Sequence, residues 1–264
     1  MPNENEIHLL FGLYSLNFLL VVCYSSSFYW ALPQSGDAVS VNGEKIKIVD
    51  DFKYLGSYIK STEHDIQVRI GLAWAAFAKL KSILRPPKLE LEFKIRVLKA
   101  ACFSILLYGC ESWILTAALA EKLNIFARTC YRIILGILKS TDHITNESLY
   151  ERVAQEPIRE MIKRRQLQFT GHCLRMAEEE PVHRFIMYES RIKQTLRLGA
   201  PRKTYRQQIS SYLLPGEETL EYSQIQKMSE NRSNWNNLFA VPRKKKPPDP
   251  SKKNTAAHSA VLVR

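Results

Sequence analysis

The sequence KIRVLKAACFSILLYGCESW occupies residues 94–113 and is almost wholly apolar over residues 100–108. Just before it and through it, apolar residues recur at helical spacing, at Leu91, Ile95, Leu98, Cys102 and Ile105. This periodicity predicts a helix with one buried face. The C-terminal half of this helix, AACFSILLY, is apolar on every side, which predicts that it is buried on all sides. Gly109 is expected to end the helix.

Two more helices with apolar stripes are predicted on either side of this one. The earlier helix is expected to be capped by Asp65 and to stop before Pro86-Pro87; its stripe is Ile66, Ile70, Ala73, Phe77, Leu80 and Leu84. The later helix is expected to be capped by Thr116, with Glu121, Arg128 and Arg132 opposite an apolar face of Leu119, Leu123, Phe126, Cys130, Ile133 and Ile137. Three such stripes bury one another most simply in a three-helix bundle over residues 63–140.

Short strands are predicted ahead of the bundle, over residues 37–62. Residues 39–49 read VSVNGEKIKIV, in which Asn42-Gly43 joins two alternating runs and strongly indicates a β-hairpin. A third strand is expected over residues 52–59 (FKYLGSYI). The predicted fold class is therefore mainly α, with a β-hairpin or three-stranded meander at its start.

Residues 141–240 are predicted to form a basic helical region. Thr145 or Asn146 can cap one helix, and Pro157 opens another that runs towards Met176, with Gly171 as a potential break. A further helix is expected over residues 205–213. The tail over residues 241–264 begins PRKKKPPDPSKKN after Val241, is poor in apolar residues and is predicted to be disordered.

The formal net charge of +12 is unevenly distributed, because the first forty residues contain no Lys or Arg. A polyanionic partner is the natural inference, and a solvated basic surface is the alternative. The five cysteines lie far apart without a CxxC pair, so neither a zinc site nor a disulfide framework is indicated. We expect no metal and no cofactor.

The segment between Leu9 and Leu32 contains no charged residue. Glu4 and Glu6 precede it where a signal peptide would carry positive charge, so a signal peptide is disfavoured. Three interpretations of residues 1–36 stay open: a membrane span, buried hydrophobic packing, or sequence acquired when a truncated reading frame found a new start.

Eight segments in order resemble the region after the catalytic core in the endonuclease–reverse transcriptase polyproteins of non-LTR retrotransposons. They are FKYLGSYI (52–59), RIGLAWAAFAKL (69–80), KIRVLKAACFSILLYGCESW (94–113), CYRIILGI (130–137), ITNESLY (144–150), RRQLQFTGHCLRM (164–176), PRKTYRQQI (201–209) and NRSNW (231–235). LLYGCESW and GHCLRM are the most specific of these. The resemblance covers about 200 residues.

The resemblance implies a role for each part of the chain. The hairpin and the FKYLG strand would be the last strands of the polymerase palm, which support the primer end, so Lys53, Tyr54 and Gly56 would contact nucleic acid. The following helices would be the thumb, which lies along the template–primer duplex. The region after residue 144 would be the C-terminal segment of the family.

The same resemblance predicts that the chain is not an enzyme. Polymerisation in this family requires palm aspartates that hold two metal ions. These should precede FKYLG, yet residues 1–36 contain no Tyr-x-Asp-Asp run and no acidic residue besides Glu4 and Glu6. Asp50-Asp51 superficially resembles such an element, but it is expected to be a turn. We expect a catalytically inactive remnant of an RNA-directed DNA polymerase.

Between Arg159 and Arg206 there are twelve Lys or Arg and five Glu, which predicts salt-dependent contact with phosphates. The nucleic-acid-binding candidates in this stretch are Arg159, Lys163, Arg164, Arg165, Arg175, Arg197, Arg202, Lys203 and Arg206. Binding to an RNA–DNA hybrid or duplex is expected to be weak and nonspecific. Residues 198–203 read LGAPRK where the family often has an Arg-Gly-Arg-Pro-Arg pattern, so two expected arginines are missing.

Two other interpretations compete with nucleic-acid binding. The chain could be a membrane-anchored basic protein whose span lies between Leu9 and Leu32, or the functionless product of a decayed transposable element. PRKKKP also resembles a nuclear-import signal. The expected location is therefore the nucleus or cytoplasm, with a membrane as the alternative.

Overall fold

The computed structural model describes residues 40–41, 44–45, 52–58, 61–137, 143–187, 203–216 and 219–240. Over these residues the protein is mainly α-helical, which confirms the predicted fold class. Asn42-Gly43, Asp50-Asp51, the apolar segment of residues 9–32 and the predicted tail lie outside the described residues. Among the helices that are described, none combines the length and the apolar character needed to cross a membrane.

Two short antiparallel hairpins precede the helices. Strand β1 (Ser40–Val41) pairs with β2 (Glu44–Lys45), which confirms the first predicted hairpin. Strand β3 (Lys53–Tyr54) pairs with β4 (Ser57–Tyr58), so residues 52–59 do not form the single third strand that we expected.

The turn of the second hairpin explains this difference. Leu55 and Gly56 have φ values of 45° and 88°, so two consecutive residues adopt the left-handed conformation. Two-residue hairpin turns of type I′ have positive φ at both central positions, and glycine adopts it without steric cost. The chain therefore reverses in the middle of FKYLGSYI.

Helix α1 (Thr62–Leu84) begins and ends within a few residues of the prediction. Its N-cap is Ser61, whose hydroxyl accepts a hydrogen bond from the backbone N–H of His64. Asp65, the predicted cap, instead lies inside the first turn and is buried. The buried residues of the predicted stripe are Ile66, Ala73, Phe77 and Leu84.

The second predicted helix contains a π-helical turn. It is built from α2 (Leu91–Leu98), a π-turn (Lys99–Phe103) and α3 (Ser104–Leu106), and Gly109 follows with φ 70°. The expected burial on all sides is wrong, because Ala100 and Ser104 are exposed. The Ser104 hydroxyl donates to the Ala100 carbonyl at 2.6 Å, so this polar side chain is satisfied on the solvent side.

Helix α4 (Ala117–Leu135) is capped by Thr116, as predicted, and Gly136 follows in the left-handed conformation. Arg128 was expected on the exposed face, and this expectation is wrong: its residue is 9% exposed. It pairs with Glu121 of the same helix and interacts with Tyr150 of the next helix.

Helix α5 (Asn146–Val153) is capped by Thr145 and leads into α6 (Ile158–Leu174). The first turns of α6 contribute Ile158 and Ile162 to a hydrophobic core formed with α1 to α5. Its later turns contribute Leu167 and Leu174 to a second core. The helix is buried on two faces because it packs against a different core at each end.

The second core is completed by four short helices. These are α7 (Pro181–Phe185), α8 (Tyr205–Leu213), α9 (Tyr222–Glu230) and α10 (Arg232–Asn237). Trp235 is fully buried there, and its Nε1 donates to the Leu167 carbonyl at 2.8 Å. Gly171 was considered a potential break in the sequence, but α6 continues through it. A Cβ at Gly171 would lie 2.2 Å from Trp235 Nε1, so glycine provides the space for the indole ring.

Replacing Gly171 by Ala should lower the free energy of unfolding. The added methyl group would overlap the buried Trp235 ring, and overpacking of this kind typically costs ~1–3 kcal/mol. Gly71→Ala is the matched control, because that Cβ meets no atom within 4 Å in the middle of α1. Alanine there should stabilise the helix by about 0.5–1 kcal/mol. Urea denaturation followed by circular dichroism measures both, and changes of the same sign would contradict the packing argument.

Candidate nucleic-acid interface

The buried carboxylate of Asp65 joins three separate parts of the chain. It accepts hydrogen bonds from the Tyr58 backbone N–H at 3.1 Å, from Arg69 Nε at 3.0 Å and from Trp113 Nε1 at 3.0 Å. Asp65 and Arg69 lie one turn apart on α1, and their side chains are 3% and 6% exposed. A buried charge needs this degree of compensation. Asp65 therefore links the second hairpin, α1 and the LLYGCESW segment.

Arg69 extends the same network to the hairpin turn. Its second terminal nitrogen donates to the Gly56 carbonyl and to the Ser57 hydroxyl, both at 2.9 Å. The guanidinium carbon lies 4.7 Å from the centroid of the Tyr108 ring. The Tyr108 hydroxyl in turn donates to the Leu55 carbonyl at 2.9 Å. The hairpin is thus held against the helices by charge-assisted and cation–π contacts.

The three candidates in the hairpin occupy different environments. Lys53 is exposed, with its Nζ 5.8 Å from the centroid of the Tyr58 ring. Tyr54 is half-buried, and the carbonyl of Gly56 is used by Arg69. Beside Lys53, the side chain of Phe52 is among the exposed large apolar groups. The hairpin therefore presents a cation and an aromatic ring to solvent.

Four of the basic candidates make contacts within the protein. Each contact uses a carboxylate or a backbone carbonyl of another element or loop. They are Arg164 with Glu156, Arg165 with Glu111 and the Leu107 carbonyl, Arg175 with the Ser229 carbonyl, and Arg206 with Glu221. These side chains contribute to the packing of the helices, which reduces the positive charge they offer to a ligand.

Three other basic candidates lie together around Tyr212; we call Arg159, Lys163, Lys203 and Tyr212 the basic patch. Arg159 and Lys163 are one turn apart on α6 and therefore share a face. Lys163 Nζ lies 5.6 Å from the centroid of the Tyr212 ring on α8. Lys203 directly precedes Thr204, the N-cap of α8. Arg197 and Arg202 lie outside the described residues.

The surroundings of the basic patch shift the pKa values of two of its members. Burial, and then the like charge of Arg159, lower the pKa of Lys203. Burial raises the pKa of Tyr212 to about 12; Arg159 opposes this shift and the nearby Glu160 adds to it. Over the described part of the chain, no ion pair involves Arg159, Lys163 or Lys203. Like charges brought together in this way favour an anion between them.

Two buried glutamines dock α8 onto α6, and the sequence reasoning missed both. Gln208 Nε2 donates to Gln166 Oε1 at 2.8 Å and to the Trp113 carbonyl at 2.9 Å, while Gln208 Oε1 accepts from the Leu115 N–H at 2.6 Å. Both lie in basic stretches of the sequence. The available signal was the spacing of Gln166, four residues after Ile162 on the apolar stripe of α6.

Comparisons with known proteins give no relative for this chain: no protein-family model, no curated protein and no solved structure matches it. The described residues also contain no group of three or more His, Cys, Asp or Glu side chains placed to hold a metal ion. The function is therefore inferred from the geometry of the hairpin and the basic patch.

Removing the Asp65 carboxylate should lower the free energy of unfolding more than removing a carboxylate from a surface ion pair. Asp65→Ala would leave the Arg69 guanidinium buried without a counter-charge, and breaking a buried pair in this way costs ~3–5 kcal/mol. The control is Glu92→Ala, since Glu92 pairs with Arg96 at the surface, where the side chains are 85% and 72% exposed. That change should cost less than about 1 kcal/mol. Equal losses in urea denaturation would refute the central role of Asp65.

Proposed function

We propose that the chain binds double-stranded nucleic acid through the basic patch, weakly and without reading sequence. The observation that carries the proposal is the grouping of Arg159, Lys163 and Lys203 around Tyr212 with no ion-pair partner among the described residues. Phosphate oxygens would supply the missing negative charge. Contacts of Lys and Arg with phosphates give affinity and position but carry no sequence information.

The hairpin offers a second contact on the same ligand. Lys53 and the adjacent Phe52 are exposed, and the Asp65–Arg69 network fixes the hairpin on α1. An exposed cation beside an aromatic ring suits the end of a nucleic-acid strand, where a base is free to stack. The resemblance of FKYLGSYI to the primer-supporting strand of retrotransposon polymerases points to the same ligand.

This proposal treats the chain as a polymerase-derived protein that does not itself polymerise. The eight ordered segments support descent from an RNA-directed DNA polymerase of a non-LTR retrotransposon. They match the parts that hold the duplex and not the part that carries the metal ions. The proposed ligand is accordingly an RNA–DNA hybrid or a DNA duplex.

Removal of the basic patch should weaken binding and reduce its salt dependence together. In the full-length Arg159→Ala, Lys163→Ala, Lys203→Ala variant, the slope of log K against log salt should fall by about 2–3, at about 0.9 per lost phosphate contact on duplex DNA. Fluorescence anisotropy with a labelled duplex and a labelled hybrid, between about 50 and 200 mM salt, measures the slope.

A charge-matched variant separates the basic patch from net charge. Arg152, Arg184 and Lys227 are exposed and lie outside the patch, so their triple substitution by Ala removes the same charge. The salt slope of this control should change much less. Equal slopes for the two variants, or no salt-dependent binding by the unchanged protein, would refute the proposal. A scrambled duplex of the same length should bind as tightly as the original.

A further inference from the structure

A groove open to solvent lies between α1 and α4, on the first core. Its volume is about 280 Å³, and its lining is mainly apolar: Ile66, Ile70 and Trp74 from α1, and Ile125 and Phe126 from α4. At its edge Lys122 Nζ and Glu63 Oε1 form an ion pair at 2.9 Å that bridges the two helices. We call this feature the α1–α4 groove.

The walls of the α1–α4 groove leave large apolar side chains uncovered. Ile125 is 50% exposed, and Trp74 is half-buried with its ring edge-on to Phe126 at 4.7 Å between centroids. Covering apolar surface of this kind is worth about 25 cal/mol per Å². A groove with apolar walls and a charged edge is typical of a docking site for an apolar segment.

The chain itself contains a segment with matching chemistry. No residue between Leu9 and Leu32 is charged, and residues 18–22 read FLLVV. Removing such apolar side chains from water is favourable, and so is covering the apolar walls of the groove. The groove compares with the smallest ligand pockets, about 300 Å³. It therefore has room for a few of these side chains and not for the whole segment.

The described hairpin begins near one end of the groove. Lys53 lies opposite Tyr58 in the second hairpin, and the Tyr58 ring is 4.6 Å from the ring of His64. His64 stands between Glu63 and Gln67, which both line the groove, so the chain enters the described hairpin near one end of it. Residues 23–51 form the tether. At up to about 3.3 Å per residue they can span the whole of α1, roughly 35 Å long.

We propose that residues 18–22 of the same chain pack into the α1–α4 groove. A covalent tether raises the local concentration of the segment to the millimolar range, so a few apolar contacts suffice to keep it there. Under this proposal residues 18–22 are held by the protein itself and not by a membrane. This inference is independent of nucleic-acid binding, since it involves neither the hairpin cation nor the basic patch.

A native cysteine provides the test, because Cys23 directly follows residues 18–22. Gln67→Cys places a thiol on the exposed wall of the groove in the full-length protein. The other cysteines (Cys102, Cys110, Cys130 and Cys173) are fully buried, and burial raises the pKa of each thiol, which keeps them unreactive. Mild oxidation should therefore join the new thiol to Cys23.

Ser82→Cys is the matched control, since Ser82 is exposed on α1 far from the groove. We expect Gln67→Cys to form an intramolecular disulfide at least ten times faster than Ser82→Cys. Ile125→Cys, on the opposite wall, should behave in the same way. Peptide mapping without reduction identifies the bond, and adding Cys23→Ser should abolish it.

Three results would overturn the proposal. Equal oxidation rates at Gln67→Cys and Ser82→Cys would show that residues 18–22 do not visit the groove preferentially. A disulfide-linked dimer in place of the internal bond would assign the groove to a second copy of the chain. Failure of the internal disulfide to form when phosphatidylcholine vesicles are present during the oxidation, with the protein floating with them, would favour a membrane segment.

Discussion

A single buried ion pair sets the arrangement of the N-terminal half of the protein. Asp65 and Arg69 lie one turn apart on α1, but their partners come from the hairpin and from the segment around Tyr108 and Trp113. Each partner is polar and would be costly to leave unsatisfied away from water. The network therefore gives the hairpin one orientation on the helices, where apolar packing alone would tolerate several. Any ligand that contacts Lys53 meets a pre-organised surface.

Local sequence patterns predicted the features that depend on local interactions. The stripes of α1 and α4, the caps at Thr116 and Thr145 and the hairpin at residues 40–45 all follow from spacing over a few residues. The errors have distant causes. Asp65 is a plausible cap in the sequence, yet its buried partner Trp113 lies 48 residues away. Gly171 resembles a helix breaker until Trp235 is packed against it.

The candidate interface shows the same limit in electrostatic form. Counting charges between residues 159 and 206 identified a basic stretch but could not say which cations are neutralised by contacts within the protein. Arg175 donates a hydrogen bond to the Ser229 carbonyl in α9, and Arg206 forms an ion pair with Glu221, the residue before α9. Arg159 and Lys163 instead lie beside Tyr212. The difference depends on how α8 docks onto α6. That docking rests on Gln166 and Gln208, whose uncharged amides do not enter a count of charges.

Helix α6 belongs to both hydrophobic cores, through Ile158 and Ile162 at one end and Leu167 and Leu174 at the other. If thermal fluctuations open either core, one end of α6 loses its packing, although the other core still needs this helix. The two cores are therefore expected to share their stability and to open as one cooperative unit. Such coupling also constrains molecular evolution. A destabilising substitution in the small C-terminal helices lowers the stability of the larger bundle as well, so substitutions in either half affect the other.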